Sequence, residues 1–242
     1  MHFYKQGTKR KPALIILHGW GIDGSNYNKL AGLLAKDFYV LVPDLPGFGA
    51  TPAPEKSYDV KDYADAVKEL INEQNLKKVY LLGHSFGGRI SIKLASHYTE
   101  LVKGIVLTGV PGIERFNWKR SLRRGIYWTA AKGLKIFGFL PPIKKLKKKF
   151  YANKDFGKLE GIMKETFLNV IKEDLSKEAK NISCKTLLLW GAKDQMAPVI
   201  DAEKILKIIP QSNLKIFTKV GHKLHYEKAH EFAREVTNFL KK

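Results

Sequence analysis

Short, almost uninterrupted apolar runs recur along the chain at Ala13 to Leu17, Phe38 to Val42, Lys78 to Leu82, Lys103 to Thr108, Thr186 to Trp190 and Leu214 to Thr218. Each is bounded by turn residues. Runs of this length that are apolar on both faces predict strands buried from both sides. Between them the apolar spacing changes to a helical period, near Asn26 to Leu34, Val60 to Glu73, Gly87 to His97, Val199 to Ile208 and Ala229 to Lys241. Ser57-Tyr58-Asp59-Val60 supplies capping residues for the second helix, and Pro210 lies beyond the end of the fourth. A further short strand is expected around residues 2–6. Strands alternating with helices predict an α/β protein with a mostly parallel sheet of about seven strands, flanked by helices on both faces.

The interval between the runs ending at Thr108 and beginning at Thr186 is too long for an ordinary crossover. The chain therefore reads as a core of residues 1–111 and 183–242, with residues 112–182 inserted into it. At 242 residues and 44% hydrophobic composition, one domain with an insertion buries a sizeable core.

The run Val79-Tyr80-Leu81-Leu82-Gly83-His84-Ser85-Phe86-Gly87-Gly88 ends an apolar strand in G-x-S-x-G. This is the sequence form of a sharp strand-to-helix turn that holds a serine hydroxyl out of the sheet. Gly83 and Gly87 keep side chains out of a turn where backbones pass closely. A serine hydroxyl is a weak nucleophile at neutral pH and needs a base, an orienting acid and oxyanion donors. His222, just past the last strand, is the candidate base. Asp194, just past Thr186 to Trp190, is the candidate acid, with Glu114 as its rival. Both leading candidates lie at carboxyl ends of strands, and Ser85, Asp194, His222 is one of the chain orders in which such triads occur. The oxyanion donors are expected to be the amides of Phe86, which follows the serine, and of Trp20, in the loop His18-Gly19-Trp20-Gly21. His18 is expected to brace that loop, His84 to be the variable residue of the turn, and Asp44 to brace the loop after the third strand. His225 and His230 read as lying in the last helix, away from the chemistry.

These motifs, together with Val42-Pro43-Asp44-Leu45-Pro46-Gly47-Phe48-Gly49 and Gly221-His222-Lys223-Leu224-His225-Tyr226-Glu227, resemble the α/β-hydrolase fold serine hydrolases of the small esterase, lipase and peptidase type. The likeness runs over nearly the whole chain. The pairing of His18-Gly19-Trp20-Gly21 with Asp44-Leu45-Pro46-Gly47-Phe48-Gly49 is further similar to pimeloyl-carrier-protein methyl ester esterases. The resemblance implies that residues 112–182 form a helical cap and that one edge strand of the larger members is missing. It also implies a carboxylesterase using an acyl-enzyme on Ser85. Lactonase, thioesterase, aminopeptidase and C–C bond hydrolase chemistry use the same groups, and a non-catalytic binding protein on this scaffold is the reading of a different class. Trp20, Trp118, Trp128, Phe137 and Met196 are candidates for the substrate pocket. No cofactor is implied, and no metal, since no spaced cluster of His, Cys or carboxylates appears.

Charge adds one question. The net charge is +20, and Arg115 to Lys149 holds twelve basic residues and no acidic one. An acidic carrier protein bearing the acyl substrate, or an anionic membrane surface, is a candidate partner for this stretch; a solvated lysine-rich surface is the plain alternative. Nucleic acid is not expected, because no recognition motif accompanies the lysines. The single cysteine, Cys184, forms no internal disulfide, and Met1-His2-Phe3-Tyr4-Lys5 has no apolar leader, so a cytoplasmic protein is expected.

Overall fold

A computed structural model describes residues 1–113 and 160–242. Seven strands form one sheet: β1 (Phe3–Gln6), β2 (Ala13–Leu17), β3 (Tyr39–Pro43), β4 (Val79–His84), β5 (Val102–Thr108), β6 (Lys185–Gly191) and β7 (Ser212–Phe217). Their spatial order is β1-β3-β2-β4-β5-β6-β7, with β1 antiparallel to β3 and every other pair parallel. The expected mostly parallel sheet of about seven strands is what forms. β2, β3 and β4 are buried at every position, as their continuous apolar sequences require.

Helices cover both faces. α1 (Asn28–Leu34) and α8 (Ala229–Lys241) lie on one face, and α2 (Val60–Glu73) and α3 (Phe86–His97) on the other; α6 (Val199–Ile208) joins β6 to β7. α2 starts where the sequence predicts. Asp59 accepts from the amides of Lys61 and Asp62, while the Asp62 carboxylate accepts from the Asp59 amide. Val60, Tyr63, Ala64, Val67, Leu70 and Ile71 then place one buried stripe against α3 and the sheet. The helix expected from Asn26 instead divides into a 3₁₀ turn, Gly24–Tyr27, and α1. Asp23 caps the turn through the Ser25 amide, and the Asn28 amide donates to the Ser25 carbonyl three residues back, in place of the four-residue bond of an α-helix.

The expected insertion is described only at its ends, and its middle, including Trp118, Trp128, Phe137 and the basic stretch, lies outside the described residues. Its C-terminal part forms α4 (Gly161–Lys172) and α5 (Ser176–Lys180), which dock on α3 through two buried cations. The Arg89 guanidinium donates to the carbonyls of Pro111, Val170 and Glu173 at 2.8, 2.8 and 2.6 Å. Both flanks of the insertion are thereby held by one side chain. Lys93, four residues on, is paired with Glu173 at 2.5 Å and Glu178 at 2.6 Å. Burial alone would raise the Glu178 carboxyl, but the Lys93 ammonium outweighs it and holds the group below its ordinary value.

Removing a buried partner from an ion pair leaves an uncompensated charge, at about 3–5 kcal/mol when the burial is complete. Both glutamates keep some exposure, so Lys93→Met is expected to destabilise the protein by about 2 kcal/mol at pH 7. A carboxylate with a lowered folded pKa stabilises above its unfolded pKa and loses that contribution as pH falls through the folded value. The parent is therefore expected to lose this share below about pH 4.5. Denaturant unfolding at pH 7 and pH 4 should show the variant's deficit shrinking at the lower pH.

Candidate active site

Register decides what meets at the carboxyl edge of the sheet. Leu17 lies opposite Gly83, His84 opposite Thr108, and Gly191 opposite Phe217. The loops leaving β2, β4, β5, β6 and β7 thus start from one edge, where ligands bind in open parallel sheets.

Ser85 sits between β4 and α3 with φ 52° and ψ −109°, a conformation rarely entered by a residue with a side chain. Its amide donates to the Thr108 carbonyl, its own carbonyl accepts from Gly88 and Arg89, and the Gly87 amide donates to the His18 carbonyl. No side chain fits at Gly87, where a Cβ would come within 2.0 Å of the Leu17 carbonyl oxygen. Close packing around the turn therefore holds the serine in place, and the residue is partly exposed at the sheet edge.

Asp194 and His222 meet across the β6 and β7 loops. His222 Nδ1 lies 2.8 Å from Asp194 Oδ2, with the carboxylate side chain 1% exposed and the imidazole 14%. The other carboxylate oxygen, Oδ1, accepts from the amides of Met196 and Ala197, each at 2.9 Å. An ionised carboxylate only accepts, so the neutral tautomer of His222 that this contact favours has its proton on Nδ1 and a lone pair on Nε2. Gly109 closes the space beside this pair. A Cβ there would lie 2.8 Å from His222 Cε1 and 3.3 Å from Asp194 Oδ2, and the residue has φ +60°. Among the described residues the Ser85 hydroxyl makes no hydrogen bond to His222. The two are neighbours through Thr108 and Gly109, which touch Ser85 and His222 in turn.

The loop after β2 is braced as expected. His18 Nε2 accepts from the Leu45 amide at 3.0 Å, so its Nδ1 carries the proton and donates to the Gly19 carbonyl at 2.8 Å. In a trans peptide the carbonyl and the following amide point in opposite directions, and holding the Gly19 oxygen turns the Trp20 N–H to the other side. A Cβ on Gly19 would lie 3.6 Å from Ser85 Cβ, so this peptide runs beside the serine. The Phe86 amide opens the first turn of α3, where amides have no intrahelical acceptor. Asp44 also braces: its oxygens accept from the Gly24 and Ala50 amides at 2.8 and 3.0 Å, and it pairs with His2.

The Trp20 indole packs edge-on against Phe48, Phe86 and Phe167 with ring centroids 4.9–5.1 Å apart. Phe167 belongs to α4, so the segment between β5 and β6 contributes directly to this aromatic cluster. Met196 is 48% exposed. Burial pushes the Cys184 thiol up to about 11, far from any nucleophilic state at neutral pH.

The pattern of hydrophobic residues gave no sign of a buried polar cluster behind the serine. His225 does not continue the last helix; it lies in a separate short helix, α7 (Leu224–Glu227), and stacks on Tyr27 at 4.8 Å and 10°. His84 lies 4.3 Å from His225 and 4.7 Å from His222, ring to ring. One signal was visible: a histidine ending a fully buried strand must find partners.

A sequence profile of the alpha/beta hydrolase fold matches residues 12–132. The chain belongs to this family. A pimeloyl-[acyl-carrier protein] methyl ester esterase of Chromobacterium violaceum is 25% identical over 259 residues, covering 99% of this chain and 98% of its own. A membrane phospholipase A, a bacterial virulence factor, superposes with a TM-score of 0.77 at 25% identity over 99% of this chain and 81% of its own. An enol-lactonase of Burkholderia xenovorans shares the fold with a TM-score of 0.75, at 20% identity over 100% of this chain and 96% of its own. Among the described residues, no helix of this family member is long and apolar enough to cross a membrane.

Buried histidines make its stability depend on pH. Burial holds His18, His84 and His225 below the ordinary imidazole value, His225 at about 3, with the neighbouring His222 and Lys223 adding to the effect there. In the unfolded chain these groups take up protons from about pH 6.5 downward. A lowered folded pKa contributes stability that is complete above the unfolded value and is lost as pH falls toward the folded one. Replacing His225 with Phe keeps the stacking on Tyr27 and removes one such group. The loss of unfolding free energy between pH 7 and pH 5 is expected to be smaller in His225→Phe by about 1–2 kcal/mol, read by urea denaturation at both pH values.

Proposed function

We propose that the protein is a carboxylic ester hydrolase working through an acyl-enzyme on Ser85. The observation that carries this reading is the buried Asp194–His222 pair at 2.8 Å, set beside a serine held in a strained turn. His222 Nε2, the bare nitrogen, takes the Ser85 proton as the oxygen attacks the ester carbonyl. The Trp20 and Phe86 amides hold the oxyanion of the tetrahedral intermediate. As this collapses, the bond to the alcohol breaks and His222 returns the proton to the leaving oxygen. Water, deprotonated by His222, then attacks the acyl-enzyme, releasing the acid and restoring the serine. Asp194 keeps the imidazole in one tautomer and stabilises the imidazolium.

Trp20, Phe48, Phe86 and Phe167 support an apolar acyl or alcohol group, and we assign residues 112–182 as the cap over it, with Trp118, Trp128, Phe137 and Met196 as candidates for the remaining wall. The same groups open lactones and thioesters, so the ester assignment rests on the relatives' activities as well as on the geometry.

A fluorophosphonate probe is expected to label the parent and not Ser85→Ala, while p-nitrophenyl ester turnover falls to background in that variant and by about 10³–10⁴-fold in Asp194→Asn. Full turnover by a folded Ser85→Ala protein would refute the reading.

A second reading concerns the substrate. The twelve basic residues of Arg115 to Lys149, with the carrier-protein esterase among the relatives, favour an acyl ester carried on an acidic protein. Raising salt from 50 to 300 mM is expected to lower kcat/KM at least about tenfold for a carrier-protein methyl ester and to leave a neutral short ester nearly unchanged. Equal salt dependence would remove this reading.

A further inference from the structure

His84 immediately precedes Ser85, is 4% exposed, and has a hydrogen-bond partner at each ring nitrogen. Its Nε2 lies 3.2 Å from the main-chain carbonyl oxygen of His222, and its Nδ1 lies 2.8 Å from the Tyr27 hydroxyl. A carbonyl oxygen only accepts, so Nε2 must carry a proton. Burial, followed by the neighbouring His225 and His222, disfavours a second proton on this ring. Nδ1 is then bare, and the Tyr27 hydroxyl must donate to it. Tyr27 is itself fully buried, and burial raises its pKa, so it holds its proton throughout the neutral range.

The consequence is mechanical. His84 is bonded covalently to Ser85 and through hydrogen bonding to the backbone of His222. Elsewhere the loop carrying His222 is tied at Val220, whose carbonyl accepts from the Lys193 amide at 2.8 Å, on the side of Asp194. The Lys193 bond fixes the loop against the acid; the His84 bond fixes it against the serine. The imidazole of His222 stays free to face both.

We propose that His84, as a neutral imidazole protonated at Nε2 and held in that tautomer by Tyr27, is a positioning residue that sets the spacing between Ser85 and the base His222. This rests on the reading of Ser85 and His222 as nucleophile and base. His84 touches neither substrate nor the transferred proton, so its loss slows turnover with little effect on binding.

The test compares the full-length parent with His84→Ala, His84→Gln and Tyr27→Phe, using p-nitrophenyl ester kinetics, fluorophosphonate labelling and thermal melting. His84→Ala is expected to lower kcat about 30-fold with KM within about twofold, and to slow Ser85 labelling by the same factor. His84→Gln places an amide N–H in reach of the same carbonyl and is expected to recover kcat to within about fivefold of the parent. Tyr27→Phe, which removes only the tautomer lock, is expected to lose about three- to fivefold. A purely structural role predicts lower melting temperatures for Ala and Gln alike with no rescue of kcat. Independently of turnover, ¹⁵N shifts of labelled histidines at pH 7 are expected to report His84 as the Nε2–H form. A Nδ1–H or cationic His84, a folded His84→Ala protein with kcat within twofold of the parent, or no rescue by Gln overturns the proposal while leaving the triad reading standing. Absence of Ser85-dependent turnover in the parent overturns both.

Discussion

A left-handed backbone at a residue with a side chain is the constraint on which the site is built. Ser85 at φ 52° costs about 1–3 kcal/mol relative to an ordinary conformation. It persists because its neighbours leave it no other: Thr108, Gly88, Arg89 and the His18–Gly87 bond fix the peptides around it, and the packing at Gly87 forbids relaxation. The buried strands β2, β4 and β5 supply the rigidity that this requires. Their registers bring the turn, the Gly19 peptide and Gly109 to one edge, so one strained residue organises three loops.

The surroundings of the turn show how polar groups are tolerated in such a place. Three buried histidines stay neutral, and the tautomers of His18 and His84 are dictated by an amide that can only donate and a carbonyl that can only accept. Asp194, which faces the His222 ring, has its two oxygens satisfied by two amides and an imidazole. Directionality at main-chain groups, more than net charge, determines the protonation pattern. A chain of net charge +20 thus carries a site whose chemistry is set by local hydrogen bonding.

Much of this was legible in the residues because periodicity reports burial. Apolar runs identified β2 to β7, although β7, at the sheet edge, is only partly buried rather than covered on both faces, and α2, α6 and α8 have the expected limits, α2 through its capping box and all three through a buried stripe. The triad candidates were legible because each lies within a few residues of a strand's carboxyl end. What escaped was through-space contact. Tyr27 and His84 are 57 residues apart, and only the β2–β4 pairing and the 3₁₀ turn bring them together. The role of Gly109 is invisible for the same reason: nothing local marks the absence of a side chain as room for an imidazole 113 positions away. α4 and α5 escaped because their short buried stripes sit in a segment whose packing depends on Arg89 and Lys93.

Arg89 has a wider meaning. Because one guanidinium receives the outgoing chain at Pro111 and the returning chain at Val170 and Glu173, the stretch between them is a detour that starts and finishes at one fixed point. Residues can be gained, lost or exchanged along such a detour while the sheet feels no pull. The carboxyl edge of the sheet, where Ser85, Asp194 and His222 lie, is thereby insulated from changes of length in that stretch.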